Sequence, residues 1–284
     1  MSGRALPPAR EGAALRLLYG SVPGRMLLRG LTARPVSRAV GRFMDSGLSR
    51  PLIRPFIRRS NIRMSDYVPM RYKSFNAFFC RPIRKELRPL PTEAGAFMAP
   101  CDGLLSAYRV TDGLVLPIKQ SRYTIAGFLG GDEAAGRFRD GVCLVFRLCV
   151  NHYHRYAYAD DGRVVKRRFL PGELHTVRPV ALAALPVFTR NCREYMLLET
   201  AHFGTLAQIE VGALLVGKIE NYKTAGMRFR RGEEKGRFLY GGSTVVLLLE
   251  KDRVRLGEAL FENTERGLET PVILGEILGR APGS

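Results

Sequence analysis

The stretch REYMLLETAHFGTLAQIEV, residues 193–211, indicates the fold class of this chain. Two apolar runs, near 193–200 and 205–211, are separated by the turn-like connection Ala201-His202-Phe203-Gly204. Similar runs, rich in Val, Leu, Phe and Tyr, predict further strands near 104–110, 114–118, 142–150, 163–169, 213–219, 227–231 and 244–249. Helical patterns occur near 74–86 and 124–130. We therefore expect an α+β fold with a mostly antiparallel β core and a helical, arginine-rich N-terminal layer.

Length and composition exclude several classes of protein. The 284 residues fit one large β-rich domain with an appendage, and an apolar content of 46% excludes a disordered chain. The five cysteines include no C-x-x-C pair, so we expect a reducing compartment and neither a disulfide scaffold nor a structural zinc ribbon. No stretch approaches the roughly 18 consecutive apolar residues of a membrane-spanning helix.

Positive charge is concentrated at the N-terminus. The chain has 45 Lys and Arg against 26 Asp and Glu, and residues 1–63 hold 13 Arg with only Glu11 and Asp45 as acids. Prolines divide this segment into short helices that also carry apolar clusters. Two compatible interpretations are open, because such helices suit an anionic headgroup layer and also suit a layer packed on the rest of the protein. We assign residues 1–72 to a basic, helical, membrane-facing segment and residues 73–284 to the main domain.

Two of the polar clusters lie at turns that lead into strands. Residues 99–103 place one acid, Asp102, in a turn just before a strand. Residues 240–244 place two glycines before Ser243 at the start of a buried strand. Glycines permit the strained backbone that a serine hydroxyl needs in order to attack its own preceding carbonyl. Each cluster, taken alone, also fits an ordinary turn.

A third cluster holds two of the four histidines. His152 and His154 lie in residues 151–156, after an apolar strand and beside an arginine and tyrosines. On an extended chain the two imidazoles would face the same side and could share a metal. No carboxylate or cysteine lies at a familiar ligand spacing, so we expect no metal site.

In their order along the chain, these motifs resemble those of the phosphatidylserine decarboxylases. The resemblance covers nearly all of the sequence. The matching motifs are Ser74-Phe75-Asn76-Ala77-Phe78-Phe79 with Arg81 and Arg88-Pro89, Ala99 to Gly103, Tyr153-His154-Arg155, Val177-Arg178-Pro179, Val211-Gly212-Ala213 with Val216-Gly217, Arg231 to Gly236, and Gly241-Gly242-Ser243-Thr244.

The resemblance implies a self-processing, pyruvoyl-dependent lyase. By motif match, Ser243 is the self-cleaving nucleophile and Asp102 is the acid of its charge relay. Cleavage between Gly242 and Ser243 would leave chains of 242 and 42 residues. The shorter chain would begin with a pyruvoyl group derived from Ser243, the one cofactor expected. This group would form a Schiff base with phosphatidylserine and accept the electrons left when CO₂ departs; His154 would protonate the carbanion that remains.

The resemblance also implies partners and a location. The expected product is phosphatidylethanolamine, and residues 73–284 would form the decarboxylase domain. We expect an anionic phospholipid membrane, phosphatidylserine, the two chains of one precursor and a second copy in a homodimer as partners, and no nucleic acid. The protein would lie on the cytoplasmic side of the cell membrane as a peripheral protein.

One position departs from the family pattern. The family has a second histidine, assigned to the charge relay, three positions after His154, and this chain has Ala157 there. The family usually has an aromatic residue where this chain has His175. Two hypotheses follow: His175 is a relocated base for the processing step, or His154 serves both reactions while His175 replaces a packing aromatic.

Three alternative functions remain open from the sequence. One is a related pyruvoyl enzyme that acts on a different amino acid or headgroup. The altered relay would also fit a lipid-binding pseudoenzyme of the same family that does not process itself. The charge and the aromatic residues near 67–79 would suit a basic nucleic-acid-binding module, which is less favoured because the sequence has no RRM, KH or zinc signature.

Overall fold

The computed structural model describes residues 5–7, 17–19, 21, 24, 34–111, 115–118, 121–177, 181, 185–212, 219–239 and 243–283. The predicted strand near 213–219 lies outside these residues except for Ile219. Gly242, the residue predicted to precede the cleaved bond, also lies outside them.

A central antiparallel sheet of eight strands dominates the described residues. The strands along the chain are β1 Ala96–Met98, β2 Gly103–Arg109, β3 Val115–Ile118, β4 Ser121–Thr124, β5 Val142–Leu148, β6 Arg155–Ala157, β7 Gly162–Leu170, β8 Arg193–Thr200, β9 Thr205–Val211, β10 Ile219–Asn221, β11 Arg228–Phe229, β12 Glu234–Phe238, β13 Ser243–Leu249, β14 Arg255–Leu256, β15 Thr270–Val272 and β16 Ile277–Arg280. The central sheet has the order β11-β7-β8-β9-β13-β5-β2-β15, and every neighbouring pair is antiparallel. The predicted α+β fold with a mostly antiparallel β core is therefore confirmed.

Three smaller sheets complete the β structure of the described residues. They have the orders β10-β12-β6, β1-β16-β14 and β3-β4. The longer strands of the central sheet were predicted near their observed positions, whereas most strands of the smaller sheets were not. These strands are two to five residues long, and most of them are too short to show a recognisable run of alternating apolar and polar residues.

The central sheet buries both of its faces. Side chains alternate along a strand, so Val245 and Leu247 of β13 lie on one face, named here the near face, and Val246 and Leu248 lie on the other, the far face. The two small three-stranded sheets cover the near face and contribute buried side chains that include Phe97, Tyr156, Phe238 and Leu278. Helical turns cover the far face and contribute Ile125, Phe128 and Phe188, together with Tyr19 from the N-terminal segment.

The α-helices whose two ends both lie within the described residues are short. They are α1 Arg34–Asp45, α2 Ile53–Arg59, α3 Phe75–Phe79, α4 Ile125–Phe128, α5 Val187–Arg190 and α6 Glu258–Glu265, and 3₁₀ turns span Gly47–Leu52, Met64–Asp66, Lys85–Leu87 and Glu133–Phe138. The helix predicted near 74–86 was too long, because α3 ends at Phe79. Pro82 disfavours helical geometry at Arg81, and the chain re-forms only a single 3₁₀ turn at Lys85–Leu87.

The N-terminal helices pack on the motif that begins at Ser74. Phe56 of α2 contacts Phe75 edge to face, with ring centroids 5.1 Å apart. The buried Ser49 hydroxyl accepts a hydrogen bond from the Phe75 amide (2.8 Å), and the Asn76 amide donates to Asp45 (2.8 Å). The interpretation of this segment as a packed helical layer is therefore supported, while the boundary at residues 72 and 73 stays a prediction.

None of the helices within the described residues is long and apolar enough to cross a membrane. All five cysteines lie in the described part of the chain, and none forms a disulfide.

We predict that Ser49→Ala destabilises the protein by about 1 kcal/mol, because the substitution removes the hydrogen bond that the buried Ser49 hydroxyl accepts from the Phe75 amide. The measurement is the free energy of unfolding in urea. Ser65→Ala is the matched control, since the exposed Ser65 hydroxyl bonds the neighbouring Asp66, and it should change the free energy by less than about 0.5 kcal/mol. Equal effects of the two substitutions would contradict the prediction.

Candidate active site

Two strands of the central sheet begin side by side at one edge. β2 and β13 both pair antiparallel with β5, so they run in the same direction and start at the same edge. Ser243 lies opposite Leu148 of β5, and the register of β2 places Gly103 level with the same residue. Since neighbouring strands are about 4.8 Å apart, the backbones of Gly103 and Ser243 are separated by roughly 10 Å. Asp102 and Ser243, distant in sequence, therefore lie at a common edge.

Ser243 is buried at the first position of β13. It is 0% exposed, and its hydroxyl has no hydrogen-bond partner among the described residues. Alternation along β13 places its side chain on the near face with Val245. Ser243 is thus a fully buried hydroxyl among the apolar side chains of the near face.

Asp102 is held by an arginine. Its two carboxylate oxygens accept hydrogen bonds from Nε (2.7 Å) and Nη2 (2.5 Å) of Arg88, and Oδ1 also accepts from the Leu274 amide (2.9 Å). Such a bidentate pair fixes the plane of the carboxylate. Arg88 was part of a recognised motif, but sequence reasoning gave it no role; the available signal was that a buried acid needs a cationic partner.

His154 is fully buried and its tautomer is defined by its surroundings. Its Nδ1 lies 2.9 Å from the carbonyl oxygen of His152, which can only accept, so Nδ1 carries the proton and Nε2 of the neutral ring has a lone pair. The ring packs on Phe79 with centroids 4.0 Å apart. The His154 carbonyl accepts from the amide of Phe238, the last residue of β12. His154 is thus hydrogen-bonded to Phe238, the residue five positions before Ser243.

His152 does not continue the strand, contrary to the expectation of an extended chain. β5 ends at Leu148, and a turn follows. In this turn the His152 amide donates to the Cys149 carbonyl (2.8 Å), and Nδ1 of His152 accepts from the Cys149 amide (3.2 Å). Burial lowers the pKa of His152, an effect that the charge of Asp102 partly opposes. The described residues contain no group of three His, Cys, Asp or Glu side chains that could hold a metal ion.

His175 lies away from the other candidates. Its Nε2 is 2.5 Å from a carboxylate oxygen of Glu173, and its Nδ1 is 3.4 Å from the Tyr19 hydroxyl. Tyr19 belongs to the cluster on the far face, whereas the Ser243 side chain lies on the near face. Among the hydrogen bonds of the described residues, none joins His175 to Asp102 or Ser243. The structure thus places Asp102 and Ser243 at one sheet edge. The backbone of His154 is hydrogen-bonded to Phe238, which precedes Ser243 in the chain, and the structure does not bring His175 to these residues.

Ala157 lies beside the turn that carries Asp102. Its amide donates to the Pro100 carbonyl (2.8 Å). Ala157 also lines a cavity of about 720 Å³, together with Arg88, Tyr153, Leu274 and other residues of the segments 82–90 and 232–234. The position of the family's second histidine is therefore part of the wall of an open cavity next to Asp102.

A buried ion pair between Glu210 and Lys235 lies near Ser243 on the near face, and it was not predicted from the sequence. Glu210 of β9 is opposite Val245, so it is a diagonal neighbour of Ser243, about 7–8 Å away between Cα atoms. Both its carboxylate oxygens lie 2.7 Å from Nζ of Lys235, and both side chains are fully buried. Burial raises the pKa of Glu210 and lowers that of Lys235, and each partner opposes the shift of the other. The only sequence signal was a charged residue between two apolar residues of a strand, Ile209 and Val211.

Comparisons with known proteins identify the family of this chain. The family model described as phosphatidylserine decarboxylase matches residues 75–280. The chain is 40% identical to phosphatidylserine decarboxylase proenzyme 2 of Clostridium acetobutylicum over 270 residues, which cover 95% of this chain and 92% of that protein. It is 36% identical to the phosphatidylserine decarboxylase proenzyme of Ruminiclostridium cellulolyticum, covering 94% of this chain and 91% of that protein. The chain therefore belongs to the phosphatidylserine decarboxylase family.

Proposed function

We propose that this protein is a self-cleaving phosphatidylserine decarboxylase, which converts phosphatidylserine to phosphatidylethanolamine and CO₂. The observation that carries the proposal is the position of Ser243, which is fully buried and begins a central strand at the same sheet edge as Asp102. Membership of the family and the proenzyme names of the relatives support it.

The first reaction would be cleavage of the chain before Ser243. The Ser243 hydroxyl attacks the carbonyl carbon of Gly242 and gives its proton to a base. The base passes that proton to the Ser243 nitrogen as the peptide bond breaks, and an ester then joins the two residues. Removal of the Cα proton of Ser243 then breaks the bond between Cβ and the ester oxygen, so that Gly242 becomes the C-terminal carboxylate of the long chain. Addition of water and loss of ammonia leave a pyruvoyl group at the start of the short chain.

His154 is the proposed base. Its proton on Nδ1 is donated to the His152 carbonyl, which leaves the Nε2 lone pair to accept a proton. The ring is held by Phe79 and by the pairing of its own backbone with Phe238, which precedes the cleavage turn. Asp102, held by Arg88, would contribute negative charge at the same edge. His175 is less suited to this role, because both of its ring nitrogens have other partners.

The surroundings of Ser243 suit a pyruvoyl group. Such a group supplies a carbonyl that accepts the substrate amine and withdraws electrons as CO₂ leaves. The near face around Ser243 is buried by apolar neighbours such as Leu148 and Val245, which exclude water. His154, protonated on Nε2, would hold the proton that replaces the carboxyl group. The cavity beside Ala157 is lined by Arg88, which bonds Asp102, and we assign the headgroup to it as part of the same proposal.

The N-terminal helices are the proposed membrane-facing surface. Arg50, Arg54 and Arg58 are exposed, and the exposed apolar side chains Leu48 and Leu52 lie among them. Apolar and basic side chains that share one surface suit a peripheral contact with anionic lipid on the cytoplasmic side of the cell membrane. The homodimer expected from the family is part of the same proposal.

Self-cleavage is tested by mass spectrometry of the purified protein. We expect a 42-residue fragment that begins with pyruvoyl, and loss of activity after treatment with borohydride, which reduces the ketone. Ser243→Ala should give a single uncut chain without decarboxylase activity. Ser106→Ala, a buried serine of β2 in the same sheet, is the matched control and should be cut normally. An active, uncut Ser243→Ala chain would refute the pyruvoyl mechanism.

The identity of the base is tested by comparing histidine variants. His154→Ala should slow cleavage by about 10²–10⁴-fold, the usual contribution of a general base. His202→Ala is the control, because His202 pairs with Asp160 outside the site. If His175→Ala abolishes cleavage while His154→Ala is cut normally, the base has relocated to His175 and our assignment is wrong.

Membrane binding is tested with liposomes that contain phosphatidylserine. Because each basic residue near such a surface contributes on the order of 1 kcal/mol, the triple variant Arg50→Glu, Arg54→Glu and Arg58→Glu should bind at least about 100-fold more weakly. Binding of the wild type should also weaken with rising salt.

The matched control for the liposome experiment reverses three exposed basic residues elsewhere, Arg139, Lys251 and Arg255, to glutamate. This control should retain most of the binding. Equal losses for both triple variants would mean that the overall charge matters and that the N-terminal helices are not the contact surface.

A further inference from the structure

The cavity assigned to the headgroup has an apolar rim. Leu87, Leu90 and Ile273, named here the rim, are 41%, 42% and 43% exposed, and Leu90 also lines the cavity. The two segments that carry them are in contact, since a methyl group added at Gly275 would lie 2.4 Å from the Pro89 carbonyl oxygen and 3.7 Å from Leu90 Cδ2. Single exposed apolar residues are common on protein surfaces, whereas groups of them at the mouth of a cavity are typical of binding surfaces.

One cation that lines this cavity has no acidic partner. The other charged side chains of the cavity wall are all in ion pairs: Arg88 with Asp102, Arg155 with Glu234 and Glu233 with Lys223. Lys85 is exposed and takes part in none of the ion pairs formed among the described residues. Its ammonium group therefore offers three donors and a positive charge to an anion at the mouth of the cavity.

The cavity shares a wall with the N-terminal segment. Ile83 and Tyr153 line the cavity and belong to the hydrophobic cluster on which Phe56 of α2 packs. The Val68 amide also donates to the Pro82 carbonyl (2.9 Å), so the end of the N-terminal segment lies beside the start of the segment 82–90. The mouth of the cavity thus adjoins the segment whose arginines contact lipid in the proposed function.

We propose that the mouth of this cavity is a phospholipid-binding site, in which Lys85 binds the phosphodiester and the rim contacts the first carbons of the acyl chains. The inference deepens the proposed function, because it rests on the assignment of the headgroup to this cavity. In a phospholipid the anionic phosphodiester lies between the polar headgroup and the acyl chains, so a cation beside an apolar rim matches its surroundings. The volume of about 720 Å³ is within the range of small-molecule sites and leaves the interior, toward Arg88, for the rest of the headgroup.

Contact between the rim and lipid is tested in the uncut Ser243→Ala chain, so that binding is measured whether or not the protein is a decarboxylase. The sequence contains no tryptophan, and Leu87→Trp therefore introduces a single fluorescent reporter at the rim. On phosphatidylserine vesicles with brominated acyl chains, its emission should be at least about twofold lower than on vesicles without bromine, because interfacial side chains reach roughly 5–10 Å below the headgroups.

The matched control for the fluorescence experiment is Val165→Trp in the same Ser243→Ala chain. Val165 is also exposed, but it lies on β7, near the end of the central sheet opposite to β2 and β15. Its emission should be the same on both kinds of vesicle.

The role of Lys85 is tested with dihexanoyl phosphatidylserine below its micelle concentration, which binds without a bilayer. The emission of the Leu87→Trp chain gives the dissociation constant. Lys85→Glu should raise this constant at least about 10-fold, because a charge-assisted hydrogen bond is lost and the introduced carboxylate repels the phosphodiester. Lys251→Glu changes the net charge equally at an exposed position after the last residue of β13, and it should change the constant by less than about twofold.

Two further ligands separate a lipid site from a phosphate site. Dihexanoylglycerol, which lacks the phosphodiester, should bind equally well with and without Lys85→Glu. Inorganic phosphate should compete with the short-chain lipid at least about 10-fold more weakly than unlabelled lipid does, because it makes no contact with the rim.

Three results would overturn the proposal: equal emission of the Leu87→Trp chain on both kinds of vesicle, equal effects of Lys85→Glu and Lys251→Glu, and inorganic phosphate that competes as well as the lipid does. A wild-type chain that stays uncut would instead refute the proposed function, and the binding results, obtained with an uncut chain, would still decide whether the site binds lipid.

Discussion

The pairing of β5 with strands on both sides is the constraint on which the site depends. β2 and β13 come from distant parts of the sequence, and each is antiparallel to β5. This arrangement makes them parallel to each other and places their first residues at one edge of the sheet. Asp102 and Ser243 each lie at the start of one of these strands, so a change of one residue in either register would turn the side chains of that strand to the opposite face.

Burial of the near face gives the site its chemical character. Apolar residues of the central sheet and of the two small sheets surround Ser243, and the main charges nearby are paired: Asp102 with Arg88, and Glu210 with Lys235. Charges that are removed from water act over longer distances than they would at a surface, since the surrounding dielectric is low. A few fixed charged groups therefore dominate the electrostatics around the serine.

The N-terminal segment contributes to the fold as well as to the charge of the chain. Ser49 and Asp45 bond the first residues of α3, and Tyr19 packs on the far face near His175. The arginines that remain exposed on α2 and the preceding turn are thus presented by a segment that is fixed to the rest of the described protein. A membrane contact through these arginines would hold the whole domain in a defined orientation.

The sequence by itself determined the fold class, the longer strands of the central sheet and the identity of the motifs, because apolar alternation and short motifs are local properties. It also singled out Asp102, His154 and Ser243. It did not reveal that Arg88 holds Asp102, and it favoured an overly long helix after Ser74. It left the choice between His154 and His175 open. Tertiary structure gave these two histidines different partners, because distant segments pack around each of them: Phe79 and Phe238 contact His154, whereas Tyr19 contacts His175.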